Sequence, residues 1–294
     1  RDWLKFIVLG LIWGSSFLWI KIGLREVDPM TLVTYRAASA AAGLAIFLLL
    51  KKKLHVKWSH VLPFLFLGVV NAAAPFALIT WAELSITSGM ASILNSTSPL
   101  WIILLGPLFL ADERVTWARV VGLLLGFAGV VVLMLRSLSG AVSPLPGVAA
   151  MLIATLCYAF GAIFIRKNKA EASTEMRVFG QFFMAALVIF PAAAVFEAPF
   201  AIPGLPLTWT ALLWLGLLGS ALASILYFDL IKSAGPTRAL LVTYIFPLVG
   251  VILGAIFLQE KISINLVIGG LMILAGIWIV NQGLPFGRAK KEQV

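Results

Sequence analysis

Ten runs of about twenty mainly apolar residues, separated by short polar gaps, restrict this chain to one class of fold. They lie at roughly 3–22, 30–50, 60–82, 88–110, 116–136, 146–166, 176–196, 208–231, 237–258 and 263–283. Each run is long enough to cross the hydrocarbon of a bilayer. A backbone inside hydrocarbon must satisfy its own N–H and C=O groups, so runs of this length have to be helices. The expectation is an all-α integral membrane protein with ten transmembrane helices and short loops. Composition agrees: 62% of residues are hydrophobic and 12% charged, where soluble domains carry about a quarter charged.

The net charge of +10 invites a nucleic-acid reading, but such binders gather Lys and Arg on a soluble face. Here the basic residues fall in the gaps between apolar runs, as in loops held at a membrane surface. The expected partners are therefore the lipid bilayer and a small-molecule substrate, with no nucleic acid, and nothing in the sequence demands more than a monomer. If both termini are cytoplasmic, seventeen Lys and Arg lie in the inside segments. Four (Lys21, Arg25, Arg136, Lys261) lie outside and Arg36 lies within a span. That asymmetry predicts both ends inside. The first run lacks a small-residue cleavage pattern after it and is expected to be a spanning helix rather than a cleaved signal.

The chain also repeats itself. Ala91 aligns with Ala239, Pro99 with Pro247, Leu100 with Leu248, Glu113 with Glu260, Gly122 with Gly269 and Gly129 with Gly276. Extended backwards, Trp13 falls on Tyr158 and Arg36 on Gln181. The expected units are 1–138, holding helices 1 to 5, and 139–294, holding helices 6 to 10. Five crossings is an odd number, so the second unit enters the membrane inverted. Inverted repeats build alternating-access transporters, with substrate held near the midplane at the repeat interface. The fold expected is thus two inverted five-helix repeats around a central cavity.

Several residues stand out against the lipid background. Pro99 and Pro247 lie mid-span, where each ring frees the carbonyl four residues back, at Asn95 and Thr243. The run Asn95-Ser96-Thr97-Ser98 can re-pair such a weakened turn. Pro75 similarly frees the carbonyl of Asn71. These three prolines are candidate hinges, against the plain reading of tolerated kinks. Arg36 sits about two turns into helix 2, roughly 10 Å deep. It is a functional candidate by default, or it pairs structurally with Asp28 or Glu83. Trp13, Ser16, Asn71, Trp81, Asn95, Ser98, Trp101, Tyr158, Gln181 and Tyr244 complete the candidate substrate-binding set, with helix-to-helix hydrogen bonding as the alternative role for the polar members. Gly122, Gly126, Gly129, Gly269 and Gly276 form small-residue faces suited to close helix packing. Glu83 and Asp229 lie near helix ends, and Asp229 has Lys232 one turn later as a local ion partner.

The chemistry of other classes is missing. There is no H-E-x-x-H and no G-x-S-x-G; His55 and His60 flank one basic loop, so no buried histidine is expected; and the single cysteine, Cys157, excludes an intrachain disulfide. No catalytic residue, metal site or cofactor is expected, and the chain is not expected to be an enzyme.

The W-G-S-S-F opening, the arginine in helix 2, the proline and following glutamate of helices 4 and 9, and the spaced glycines of helices 5 and 10 resemble the drug/metabolite transporter (DMT) superfamily. The closer resemblance is to its ten-helix EamA-type branch, which includes the YddG-like amino-acid exporters. It covers nearly the whole chain and is specific for fold more than for cargo. It implies two inverted five-helix repeats around a central cavity and export across a bacterial cytoplasmic membrane. Phosphorylated cargo would call for several cationic groups, and an organic cation for a mid-membrane carboxylate. A small zwitterion fits one arginine, a few hydrogen-bonding side chains and aromatic faces. Amino acids, aromatic ones included, are the leading expectation; another drug or metabolite class, or a channel or scaffold, is the alternative. Without a mid-depth acid, facilitated export is expected over tight proton coupling.

Overall fold

The computed structural model describes residues 2–110, 116–135, 145–168, 172–197, 202–234 and 241–282. These form ten membrane-type helices and, among the described residues, no strand. They are α1 (Asp2–Gly23), α2 (Pro29–Leu50), α3 (Trp58–Ala82), α4 (Ser88–Phe109), α5 (Trp117–Leu135), α6 (Leu145–Lys167), α7 (Thr174–Phe196), α8 (Pro206–Leu230), α9 (Val242–Phe257) and α10 (Ile264–Gln282). The first eight are long and apolar enough to cross a membrane, and α9 and α10 contain shorter apolar helices. Glu113 and residues 235–240, among them the aligned Ala239, lie outside the described segments.

Four helices are not continuous α-helix. In α4 the regular helix stops at Asn95 and restarts at Ser98, so Pro99 stands in the first turn of a new segment, where its missing N–H costs nothing. The carbonyl of Asn95 receives the Ser98 hydroxyl at 2.8 Å. Its repeat mate α9 begins with a 3-10 turn, Leu241–Tyr244, before the α-helix that holds Pro247. The carbonyl of Thr243 is met at 3.0 Å by Ser96 of α4. Helices α3 and α8 carry wide i→i+5 turns at Val69–Ala73 and Trp214–Leu222. Pro75 follows the first of these and opens the succeeding α-helical segment, Ala74–Ala82.

Packing follows the repeat. The pairs α2·α7, α4·α9 and α5·α10 each join a helix to its own repeat mate. The contact α1·α9 is mirrored by α6·α4, α3·α6 by α8·α1, and α2·α8 by α7·α3. A lipid-solvated bundle gains little by hiding apolar surface, so close approach of small residues has to hold such pairs together. Between α5 and α10 a Cβ on Gly122 would stand 2.5 Å from the carbonyl oxygen of Gly276, and one on Gly129 would stand 2.6 Å from that of Gly269. Gly126 instead makes room for Leu100 of α4.

The two ends of the bundle differ in chemistry. One carries Lys51, Lys52, Lys53 and Lys57 and the exposed indoles of Trp3, Trp58 and Trp117; here it is called the basic end. At the other, carboxylates cap helix N-termini across the repeat boundary, supplying acceptors for N–H groups that have no partner within their own helix. Glu197, after α7, accepts from the N–H groups of Met30 and Thr31 at 3.0 and 2.7 Å. Glu260, after α9, accepts from Ser88 N–H at 2.7 Å and Gly89 N–H at 3.1 Å. Glu26, after α1, accepts from Gly204 and Leu205 N–H groups and from the Thr208 hydroxyl of α8. This is the acid-capped end.

Candidate functional site

Two junctions related by the repeat lie where α2 meets α8 and where α7 meets α3. At the first, Gly216 lets α8 approach so closely that a Cβ there would stand 2.8 Å from the carbonyl oxygen of Arg36. At the second, a Cβ on Gly68 would stand 2.9 Å from the carbonyl oxygen of Gln181. Arg36 and Gln181 are repeat mates, and Gly68 and Gly216 hold matching positions in α3 and α8. The wide turns then aim one polar side chain each across the junction. Arg36 Nε donates to Ser220 Oγ at 2.9 Å, and Asn71 Nδ2 donates to Gln181 Oε1 at 3.1 Å. Wide turns of this kind recur at functional sites because they free backbone groups and turn side chains off the helical repeat.

Arg36 is 4% exposed. Its guanidinium carbon lies 3.6 Å from the centroid of the Phe76 ring, a cation-π contact. Among the described residues only its Nε–H makes a hydrogen bond, which leaves the two terminal amino groups available to an anion. Tyr158, repeat mate of Trp13, packs against both hydrophobic cores of the bundle. Trp13 donates its indole N–H to the carbonyl of Gly219 at 3.0 Å and packs against Tyr227 and Phe246 at 5.3 and 5.9 Å between centroids. Ser16 lies beside Gly219 and returns its hydroxyl to the Ile12 carbonyl of its own helix.

The remaining candidates divide. Trp101 turns toward α6 and α5, donating to Thr155 at 3.0 Å and meeting Phe127 edge-on at 5.1 Å. Asn95 keeps its side-chain oxygen buried without a hydrogen-bond partner at the break in α4, and Ser98 closes that break. Tyr244 is half-buried where the 3-10 turn of α9 becomes α-helix. Trp81 does not join them: it is 46% exposed. Asp229 takes Lys5 of α1 at 3.3 Å at the basic end, while the side chain of Lys232, expected as its local partner, lies outside the described residues. Arg36 makes no ion pair with Asp28 or Glu83; the Lys5–Asp229 pair is the ion pair found among the described residues. Nor do three His, Cys, Asp or Glu side chains gather as a metal set among those residues. Contrary to expectation, His60 is buried, only 7% exposed against Phe64 one turn further along α3.

Sequence reasoning missed Ser220, Phe76, Thr155 and the three capping glutamates as partners. Gly68 and Gly216 were findable, because they match under the same repeat offset that pairs Pro99 with Pro247.

Comparison with known proteins decides the class. The model of the EamA-like transporter family matches the chain twice, over residues 3–135 and 145–282. The chain belongs to the EamA-like transporter family. Protein PecM of Dickeya dadantii is 30% identical over 95% of this chain and 92% of its own length. An uncharacterized transporter of Archaeoglobus fulgidus is 26% identical, with 94% and 98% covered. The uncharacterized inner membrane transporter YedA of Escherichia coli K12 is 29% identical, with 87% and 82% covered. A crystal structure superposes with a TM-score of 0.68 at 21% identity, covering 94% of this chain and 95% of its own, which supports the fold. The protein is thus a multi-pass membrane transporter of small solutes, built on the ten-helix EamA fold.

Proposed function

We propose that this transporter exports small amphipathic metabolites from the cytoplasm by alternating access, with amino acids, aromatic ones included, as the leading cargo. The observation that carries the reading is Arg36: a buried guanidinium at a junction between the repeats, seated on Phe76 and held by one of its nitrogens, with planar donors left over. Such a fork suits a carboxylate. Asn71 and Gln181 supply hydrogen-bonding groups at the mirrored junction, and Trp13, Tyr158 and Tyr227 supply aromatic faces for an apolar side chain or an ammonium. The basic end, with its lysines and interfacial tryptophans, is taken as cytoplasmic, so the acid-capped end faces outward.

Counterflow in proteoliposomes tests the reading. Vesicles loaded with unlabelled amino acids and given labelled phenylalanine outside accumulate label if the reading is right, and lose that accumulation with Arg36→Ala. Accumulation of a different solute, with none of any amino acid, would keep the carrier and discard the cargo.

A further inference from the structure

Four glutamates stand at the acid-capped end, and three are saturated with hydrogen bonds. The fourth, Glu83, lies one residue beyond the α3 span. It is completely buried, and neither carboxylate oxygen has a hydrogen-bond partner. The nearest ammonium, Lys21 of α1, donates instead to the main-chain carbonyl of Glu83. The charged groups that face the carboxyl are Lys21, Glu260 from the turn after α9, and Arg36 from α2. Helix α6 covers this turn, with Gly147 against the Ala82 carbonyl and Ser85, and its residues 145–156 include no titratable side chain. Residues 88–95 of α4 add none. The Thr80 hydroxyl, three residues earlier, is also buried without a partner.

A carboxylate stripped of water and of donors is held at high cost, whereas its neutral form is tolerated. Burial accordingly pushes the Glu83 carboxyl well above its ordinary value, Lys21 and Arg36 opposing and Glu260 reinforcing. We propose that Glu83 is a proton-binding site whose occupancy is tied to closure of the acid-capped end. The group takes up one proton as the carboxylate is enclosed and releases it when opening lets water and counter-charge reach it. By linkage, a proton bound more tightly in one state favours that state by the same factor. Acid on the outer side therefore favours the closed form, and the conformational cycle is proton-linked, which departs from the expectation of facilitated export over tight proton coupling. The inference rests on the carrier reading and not on amino-acid cargo.

Two substrate-free measurements test it on the purified protein in liposomes. Infrared difference spectra of wild type and Glu83→Gln at neutral pH are expected to show a protonated-carboxyl C=O band that only the wild type has, and that titrates away as pH rises. In a Cys157→Ser background, Ser92→Cys places a thiol in the buried seam between α4 and Gly250 of α9. Its labelling by an impermeant maleimide from the outer side, normalised to a fully exposed thiol, is expected to rise several-fold with pH, and Glu83→Gln to flatten that rise. A wild type without the neutral-pH band overturns the proposal, whatever the variants do. So does a Ser92→Cys pH profile that Glu83→Gln leaves unchanged. A failure of amino-acid counterflow would strike only the cargo.

Discussion

Arg36 sits in lipid-depth surroundings with one committed hydrogen bond and one aromatic platform, so its loss has two separable effects. A charge-assisted hydrogen bond to a carboxylate is worth about 1.5–3 kcal/mol, which corresponds to roughly tenfold to hundredfold in affinity. Arg36→Ala is therefore expected to raise the half-saturation of phenylalanine exchange by about that factor and to erase discrimination between phenylalanine and its amide. Arg36→Lys keeps the charge without the planar fork or the stacking on Phe76, and should fall between. Equal loss for phenylalanine and its amide would assign Arg36 to structure alone. Arg36 and Gln181 were legible as a pair because a polar side chain in a membrane span is conspicuous, and the repeat put both at one register. Their partners were not legible. Ser220 aligns with Ala72 under the repeat offset that pairs Pro99 with Pro247, and Phe76 is one of 20 phenylalanines in an apolar chain; neither residue type marks a partner in such a background.

At the scale of elements, the glycine faces of α5 and α10 and the breaks in α4 and α9 could be read from the sequence, since Gly and Pro act on the backbone itself. The wide turns in α3 and α8 could not, because no residue type encodes an i→i+5 turn. Gly129→Leu pushes side-chain carbon into a space where even a Cβ stands 2.6 Å from the Gly269 carbonyl oxygen. Overpacking of this kind costs about 1–3 kcal/mol, so the variant should unfold at a lower temperature in detergent, and Leu124→Ala on the exposed face of α5 should not. An unchanged melting temperature for Gly129→Leu would show that α5 and α10 need not be this close. Pro99→Ala restores an amide N–H able to compete with the Ser98 hydroxyl for the Asn95 carbonyl, which would heal the break. Exchange should slow several-fold while binding affinity holds. Unchanged rates for both Pro99→Ala and Pro247→Ala would remove the hinge role.

At the scale of the whole molecule, Glu26, Glu197 and Glu260 each span from one repeat to the other at the acid-capped end, while the Lys5–Asp229 pair ties α1 to α8 at the basic end. In the proposed cycle, opening at this end must break the acid caps, and their sensitivity to acid has a definite sign. The Glu26 carboxyl is held below its ordinary value of 4.5 by the Thr208 hydroxyl, partly offset by desolvation, and further by the Leu205 and Gly204 N–H groups. Its folded value is depressed, so its contribution is fully present above 4.5 and is lost as pH falls through the lower value. Glu83 is linked in the opposite sense, because enclosure favours its neutral form. Labelling of Ser92→Cys should therefore pass through a minimum: higher in alkali as Glu83 ionises, and higher again in acid as Glu26 is protonated and lets go of α8. Glu260→Ala, which removes the acceptor for the first turn of α4 beside this thiol, should raise labelling at every pH, leave the acid flank in place and, because Glu260 reinforces the raised Glu83 carboxyl, move the alkaline flank to lower pH. Glu26→Gln should abolish the acid flank alone. An acid flank that survives Glu26→Gln would move the acid-sensitive tie to Glu197 or Glu260, and a Glu260→Ala profile superimposable on wild type would mean that this cap does not hold the end shut.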